Sequence, residues 1–185
     1  MTQPRLICII GAESTGKTTL TGALAAHFEC PWVPEYLRHF CELHQRTPTL
    51  EEQPQILEAQ QLAVCTAQVK AVQQKAPFVF CDTAPLLTAI YSDFVFCDVS
   101  LYARARTMHA SYALTLLLAP DIAWVADGLQ RDGAQVRGPV TEMIARELRV
   151  LTVPVASISG QGEGRFAAAL EALKALGATS NRHQV

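Results

Sequence analysis

The sequence has 185 residues, of which 50% are hydrophobic, with a net charge of −2 at pH 7 and a pI near 6.2. This length is enough for one domain with a sizeable core, and we expect that domain over residues 1–177, followed by a disordered tail over residues 178–185. The absence of a basic field disfavours nucleic acid as a partner, and no apolar run approaches the length that spans a membrane.

The six cysteines are spread singly along the chain, with no C-x-x-C pair and no cysteine–histidine cluster. This spacing favours free thiols in a reducing compartment over a metal site or a disulfide framework. We therefore expect a cytoplasmic protein whose partner is a small molecule. The sequence does not indicate an oligomeric state.

The first predicted strand, over residues 6–10, leads into the sequence GAESTGKT at residues 11–18. This matches the phosphate-binding pattern G-x-x-x-x-G-K-[ST], and apolar residues at helical spacing follow it. In such loops the glycines let backbone N–H groups point at phosphate oxygens, and the next helix directs its positive dipole end toward them. The strand–loop–helix context favours a triphosphate site over a glycine-rich turn without a ligand.

The pattern predicts ATP and Mg²⁺ as cofactors. Lys17 would contact the β- and γ-phosphates, and Thr18 would offer its hydroxyl to Mg²⁺. The other residues predicted to bind the nucleotide are Gly11, Glu13, Ser14, Thr15, Gly16 and Thr19.

Residues 31–34 predict a brief second strand, and residues 35–44 predict a second helix. Thr49 and Glu52 form a T-x-x-E capping pattern, which predicts a long third helix that ends near Lys75.

Two charged residues begin the second helix. The Glu35 carboxylate could bind or deprotonate an acceptor hydroxyl, or it could complement the positive end of the helix dipole. Arg38 follows on the same helix face, where it could reach a phosphate, pair with Glu35 or form a plain surface ion pair. The sequence leaves these alternatives open.

The third predicted strand, over residues 78–81, is followed directly by Asp82. An acid at this position could hold Mg²⁺ together with Thr18, accept the proton of an attacking hydroxyl, or cap a helix that begins near Ala84. The next stretch, residues 83–98, mixes helix formers with a strand-like Phe-Val-Phe and predicts a helix plus a loop.

The second half of the chain continues the alternation of helix and strand. The predicted elements are a helix over residues 101–109, a strand over 112–118, an exposed mobile segment over 127–138, a helix over 140–150, an edge strand over 153–158 and a closing helix that ends at Gly177.

Arg131 and Arg137 lie in the predicted exposed segment and could close over the transferred phosphoryl group as lid arginines. A solvated loop is the alternative, since arginines are common on protein surfaces. Trp32 and Trp124 fall near the same crevice and could stack on a planar ring, although core packing is the commoner use of tryptophan.

The alternating elements predict a P-loop NTPase fold, with a five-stranded parallel sheet in a three-layer α/β/α arrangement and a short lid. Ligands in such folds bind at the carboxyl ends of the strands. This rule brings the loop at residues 11–18, Glu35, Asp82 and the two arginines to one crevice. Phosphoryl transfer requires such a combination of cations and acids.

Four segments together resemble the ribosylnicotinamide kinase domain of NadR-type NAD-biosynthesis proteins. They are GAESTGKTTL at residues 11–20, PEYLR at 34–38, FCDT at 80–83 and WVADGLQR at 124–131. The resemblance implies a kinase that transfers the γ-phosphate of ATP to the 5′-hydroxyl of nicotinamide riboside, giving nicotinamide mononucleotide. The D-G-L-R motif of the family reads DGLQR here, which leaves open which lid arginine meets the phosphate.

The resemblance also implies roles for residues at matching positions. Lys17 and Thr18 would hold the nucleotide and Mg²⁺. Glu35 and Asp82 would serve as metal ligand, acceptor ligand or base, and Arg131 would belong to the lid. The implied substrate site consists of Glu35, Tyr36, Arg38, Asp82 and Trp124.

An alternative from another class is an ATPase that acts as a nucleotide-dependent regulatory switch with a protein partner. An AAA+ mechanoenzyme is a third possibility, but it would need a helical lid domain for which the length leaves little space.

Overall fold

The computed structural model describes residues 3–125 and 134–180. Strands and helices alternate along this part of the chain, as the sequence predicts. In order they are β1 (Arg5–Ile10), α1 (Lys17–Phe28), β2 (Trp32–Val33), α2 (Tyr36–His44), α3 (Gln53–Gln74), β3 (Phe78–Asp82), α4 (Pro85–Phe96), α5 (Tyr102–His109), β4 (Leu114–Leu118), α6 (Arg137–Arg149), β5 (Val155–Ile158) and α7 (Gly162–Ser180).

The described strands form one parallel sheet in the order β2-β3-β1-β4-β5. β1 lies at its centre, and residues 6–10 are all buried, as expected for an apolar strand that is covered on both faces. The register sets Ile9 of β1 beside Asp82 of β3. The carboxyl end of β3 therefore lies next to the loop that follows β1.

Helices cover both faces of the sheet. Cys8 and Ile10 of β1 belong to one apolar core with residues of α3, α4 and α6, whereas Ile7 and Ile9 belong to a second core with residues of α1 and α7. Alternate side chains of a strand point to opposite faces, which explains this division. The three-layer α/β/α fold class predicted from the sequence is thus confirmed.

One prediction for the helices is confirmed and one is wrong. The helix plus loop predicted over residues 83–98 is confirmed, since α4 spans Pro85–Phe96 with the Phe-Val-Phe in its last turn and a loop follows from Cys97. The segment predicted to be exposed and mobile over residues 127–138 contains the start of α6 at Arg137. Residues 127–133 of that segment lie outside the described residues.

The closing helix α7 continues past Gly177 to Ser180, so the predicted tail begins inside a helix. A single glycine ends a helix only where the chain turns, and at Gly177 the backbone stays helical. None of the helices in the described ranges combines the length and the hydropathy needed to cross a membrane.

Candidate active site

The loop between β1 and α1 closes on itself and packs against β4. Ser14 and Gly16 have positive φ angles of 53° and 79°. At Gly11, a Cβ atom would lie 3.1 Å from the backbone oxygen of Leu118, so a side chain there would push the loop away from β4. The Thr15 hydroxyl donates across the loop to a backbone carbonyl at 2.8 Å. These contacts fix the loop in a preformed shape.

Lys17 and Thr18 open α1 beside the end of β3. The Lys17 ammonium donates to the carbonyl oxygen of Ala12 at 3.1 Å, which holds its charge over the loop. The Thr18 hydroxyl donates to Oδ2 of Asp82 at 2.5 Å. The structure thus brings together the three residues to which the sequence assigned phosphate and metal binding.

Asp82 is buried, with only 1% of its surface exposed. Burial raises the pKa of its carboxyl, while the Thr18 hydrogen bond and the charges of Lys17 and Arg38 lower it, and burial has the larger effect. It does not cap α4, whose N-cap is Ala84 and carries no side-chain cap. The metal and base roles therefore remain for Asp82.

The donor set at Asp82 fits Mg²⁺. Its Oδ1 is buried and has no hydrogen-bond partner within the described residues, and the Thr18 hydroxyl lies on the other carboxylate oxygen. No group of three acidic, cysteine or histidine side chains forms a metal cluster in residues 3–125 and 134–180. Mg²⁺ at nucleotide sites needs few protein ligands, because waters and substrate phosphates complete its octahedron.

A pocket opens beside the loop, between α2, the start of α3 and α4. Its polar wall includes Lys17, Glu35 and Arg38. Its other lining residues are Glu13, Ser14, Leu37, Thr47, Pro48, Gln53, Leu87, Tyr91, Val95, Phe96, Trp124 and Val125. The pocket thus combines charged groups beside the phosphate-binding loop with apolar and aromatic groups, as small organic ligands require.

One face of α4 supplies the apolar wall. Leu87, Tyr91 and Val95 recur at every fourth residue and so lie on the same side of the helix. Elsewhere on α4, Asp93 accepts a hydrogen bond from the Tyr102 hydroxyl at 2.9 Å, which ties the helix to α5. Sequence analysis missed these lining residues, although their four-residue spacing was the signal that could have found them.

Glu35 and Arg38 are half-buried and line the pocket together. Glu35 is the N-cap residue of α2, but its side chain makes no capping hydrogen bond. The Arg38 charge is near enough to Asp82 to lower the pKa of that carboxyl. The two residues predicted to face the triphosphate thus share one wall.

The structure separates Tyr36 and Trp32 from this pocket. Both line a groove at the β2 edge of the sheet, between β2 and α3. Tyr36 is the first residue of α2, whereas Glu35 before it has extended backbone angles (φ −64°, ψ 116°), so the two side chains leave the chain in different directions. Trp32 is 40% exposed and so lies neither in the core nor in the pocket. Trp124, by contrast, is half-buried and lines the pocket.

The AAA domain family matches residues 6–165 of the chain. The chain belongs to this AAA domain family. No curated protein matches the chain in sequence.

Solved structures share the fold of this AAA domain. NadR in complex with NR superposes with a TM-score of 0.71 at 22% identity, covering 92% of this chain and 50% of that one. NadR with NAD and AMP-PNP gives a TM-score of 0.72 at 21% identity, over 92% and 48%. This chain thus spans about half the length of the NadR chains. The resemblance to NadR drawn from the sequence is confirmed at the level of the fold.

Two further kinase structures align over nearly their whole length. Thymidylate kinase from Ehrlichia chaffeensis has a TM-score of 0.67 at 16% identity, covering 95% of this chain and 100% of its own. Deoxyadenosine kinase from M. mycoides, with dCMP and dCDP, has a TM-score of 0.62 at 12% identity, over 92% and 99%. The fold is therefore that of small P-loop kinases.

Arg137 of this AAA domain lies in the first turn of α6 and not in a solvated loop. Its guanidinium donates to the carbonyl oxygens of Ile122 at 3.0 Å and of Ser14 at 3.5 Å. It therefore contacts the phosphate-binding loop directly. Arg131, the other predicted lid arginine, lies outside the described residues.

We expect Arg137→Ala to lower kcat by about 100-fold, the usual loss for one charge-stabilising donor, with a smaller effect on ATP affinity. Steady-state kinetics with varied ATP measures both. Arg149→Ala is the matched control, because Arg149 is an exposed residue in the last turn of the same helix. An unchanged kcat in Arg137→Ala would leave Arg137 only a structural role.

Sequence analysis missed Arg165, a buried residue at the start of α7. Its guanidinium donates to the carbonyl oxygens of Thr15 in the phosphate-binding loop, of Ala119 at 3.1 Å and of Gly160 at 2.7 Å, and it forms an ion pair with Asp121. It thus joins the loop to the ends of β4 and β5. A lone arginine near a helix start carries no sequence signal for such a role, because most are solvated.

We expect Arg165→Met to lower the free energy of unfolding by about 3 kcal/mol, because several carbonyls and the Asp121 carboxylate lose their donor. Denaturant unfolding measures the change. Arg104→Met serves as the control: Arg104 and its partner Glu58 are half exposed, so we expect a loss below about 1 kcal/mol. Equal losses in both variants would contradict this account.

Proposed function

We propose that this protein is an ATP-dependent kinase that phosphorylates the 5′-hydroxyl of a nucleoside, and that nicotinamide riboside is its acceptor. The observation that carries this proposal is the pocket beside Lys17, because it places the Glu35 carboxylate and aromatic walls next to the phosphate-binding loop. The likeness to P-loop kinase structures, including NadR with NR, supports it.

In the proposed reaction the 5′-oxygen of the acceptor attacks the γ-phosphorus of ATP. The bond between that phosphorus and the β–γ bridging oxygen breaks, ADP leaves with the electron pair, and the hydroxyl proton passes to a carboxylate. Lys17 and Arg38 would stabilise the negative charge on the transferred group. Bound Mg²⁺, held by Thr18 and Asp82, would supply further positive charge at the phosphates.

We assign the base role to Glu35 and the metal role to Asp82. Asp82 already accepts the Thr18 hydrogen bond and lies under the phosphate-binding loop. Glu35 instead lines the pocket in which an acceptor would bind. A general base must lie within hydrogen-bond reach of the hydroxyl that it deprotonates, which favours the residue on the acceptor side.

The pocket walls favour a planar ring with positive charge. Tyr91, Phe96 and Trp124 offer aromatic surfaces, and Glu13 and Glu35 add carboxylates, whereas the cations of the same pocket, Lys17 and Arg38, are the residues assigned to the phosphates. Aromatic faces attract cations, and carboxylates do so more strongly. The pyridinium ring of nicotinamide riboside meets these conditions, whereas the neutral bases of common nucleosides do not.

The test is ADP release with ATP and Mg²⁺ across a panel of nicotinamide riboside, adenosine, deoxyadenosine, thymidine and thymidine monophosphate. We expect the highest kcat/KM with nicotinamide riboside. Its reduced form, dihydronicotinamide riboside, is the matched control, because it keeps the size of the ring but loses the charge, and we expect it to be a poorer substrate.

Absence of stimulated turnover with every compound would overturn the kinase proposal. Slow ATP hydrolysis that no nucleoside stimulates would instead indicate a nucleotide-dependent switch. Higher kcat/KM with another nucleoside would retain the kinase and replace the acceptor.

We also propose that the protein acts in the cytoplasm on a small molecule, without nucleic acid or a membrane as partner. All six cysteines lie in the described residues and are free thiols, four of them buried. Free thiols suit a reducing compartment, which supports this location.

A further inference from the structure

Gln60 is a polar residue of α3 that is only 2% exposed and takes no part in the pocket lining. Its side chain binds the backbone on both sides of Glu35. The Tyr36 N–H donates to Gln60 Oε1 at 2.7 Å, and Gln60 Nε2 donates to the carbonyl oxygen of Pro34 at 3.3 Å. One buried amide thus forms hydrogen bonds with the backbone of both residues that flank the proposed base.

Only a side-chain amide of this length satisfies both contacts. The Tyr36 N–H needs an acceptor and the Pro34 carbonyl needs a donor, which fixes the orientation of the Gln60 amide. A glutamate carboxylate could accept from Tyr36 but would place a second acceptor against the Pro34 carbonyl. A methionine has a similar length but no donor and only a weak acceptor.

The segment around Glu35 follows β2, an edge strand of two residues, Trp32 and Val33, which among the described residues pairs with β3 alone. The first N–H groups of a helix lack partners within that helix, and here Gln60 takes the N–H of Tyr36, the first residue of α2. Glu35 makes no capping hydrogen bond, so its carboxylate is not used at the helix end.

We propose that Gln60 is a positioning residue for phosphoryl transfer: it fixes the backbone at residues 34–36 and so holds the Glu35 carboxylate against the acceptor hydroxyl. This inference rests on the proposed function. Small displacements of a catalytic group cost large factors in rate. Residues 34–36 lie outside the phosphate-binding loop at residues 11–18, so we expect a smaller effect on ATP binding.

The test compares Gln60→Met and Gln60→Glu with the wild-type protein. Gln61→Met is the matched control, since Gln61 is the next residue of α3 and its side chain contacts Cys65 instead. The measurements are kcat, KM for acceptor and KM for ATP with the acceptor that best stimulates the wild-type protein. Amide hydrogen exchange of Tyr36, read by NMR, reports the contact without any turnover.

We expect Gln60→Met to lower kcat at least 10-fold, to leave KM for ATP within about 2-fold and to speed exchange of the Tyr36 amide. Gln60→Glu should keep the Tyr36 amide protected and lose less activity, and it provides the folded comparison if the methionine variant unfolds. Gln61→Met should match the wild type in every measurement.

Unchanged kcat in both Gln60 variants, beside an active wild-type protein, would overturn the positioning role alone. Equal loss of ATP and acceptor affinity would also overturn it, because it would show general damage. If no nucleoside stimulates the wild-type protein, the proposed function fails and the role of Gln60 in it fails too, even where Tyr36 exchange confirms the hydrogen bond.

Discussion

Replacement of Lys17 by alanine is expected to lower kcat/KM for ATP at least 1,000-fold, which corresponds to about 4 kcal/mol of transition-state stabilisation. Lys17 lies in the phosphate-binding loop, its ammonium is 3.1 Å from the Ala12 carbonyl oxygen, and it lines the pocket. With ATP bound, this charge would face the phosphates between which the bond breaks. No other lysine lines the pocket in the described residues.

Initial-rate measurements of ADP formation and equilibrium binding of a non-hydrolysable ATP analogue would check this result. Lys174→Ala is the control, because Lys174 is an exposed residue of α7 paired with Glu171 on the surface. Near-normal turnover in Lys17→Ala would mean that the loop is not the phosphate site.

Asp82→Asn is expected to lower kcat at least 100-fold without loss of the fold. The amide is a poor Mg²⁺ ligand compared with a carboxylate, while its oxygen can still accept the Thr18 hydrogen bond. Titration of turnover against Mg²⁺ separates the two proposed roles of the residue. A raised Mg²⁺ requirement would confirm a metal ligand, whereas a lower kcat at saturating Mg²⁺ with no such shift would indicate a base.

The raised pKa of Asp82 also predicts an effect of this substitution on thermal stability. Burial raises the pKa in the folded protein above its value in the unfolded chain, so the folded state binds the proton more tightly. Ionisation therefore costs folding free energy, and the wild type loses stability as pH rises through the folded-state pKa. Asp82→Asn removes that cost, so without nucleotide we expect its Tm at neutral pH to equal or exceed that of the wild type.

Asp98→Asn is the matched control for both measurements. Hydrogen bonds from the backbone N–H and the hydroxyl of Ser100 lower the pKa of Asp98, and this residue lies outside the pocket. Its ionised form therefore stabilises the folded state above the unfolded-state pKa and loses that effect as pH falls. We expect a lower Tm at neutral pH with normal turnover, and the opposite pattern in the two variants would contradict this account.

The fold could be predicted because its signals are local in the chain. The apolar run over residues 6–10 requires burial on both faces, and the loop at residues 11–18 requires its glycines wherever it occurs. The sequence left open where α4 ends, because its Phe-Val-Phe turn has β-forming residues, and these stay helical in a helix that packs against α3, α5 and α6.

The candidate site could be predicted only in part. Lys17, Thr18 and Asp82 meet because the ends of adjacent parallel strands always lie together, a rule that needs no coordinates. Tyr36 and Glu35 are neighbours in sequence, yet they face different cavities, because the chain changes from extended at Glu35 to helical at Tyr36. Such directions depend on where each helix begins, and a pattern locates helix ends only within a few residues.

The phosphate-binding loop, the alternation of strands and helices and the acid at the end of β3 could all be predicted from the amino-acid pattern, since each depends on backbone geometry within a few residues. The packing of distant elements is what brings Arg165 to the loop, α4 to the pocket wall and Gln60 to the backbone on both sides of Glu35. These contacts join residues up to 150 positions apart, and no local pattern records which distant groups will meet when the layers pack.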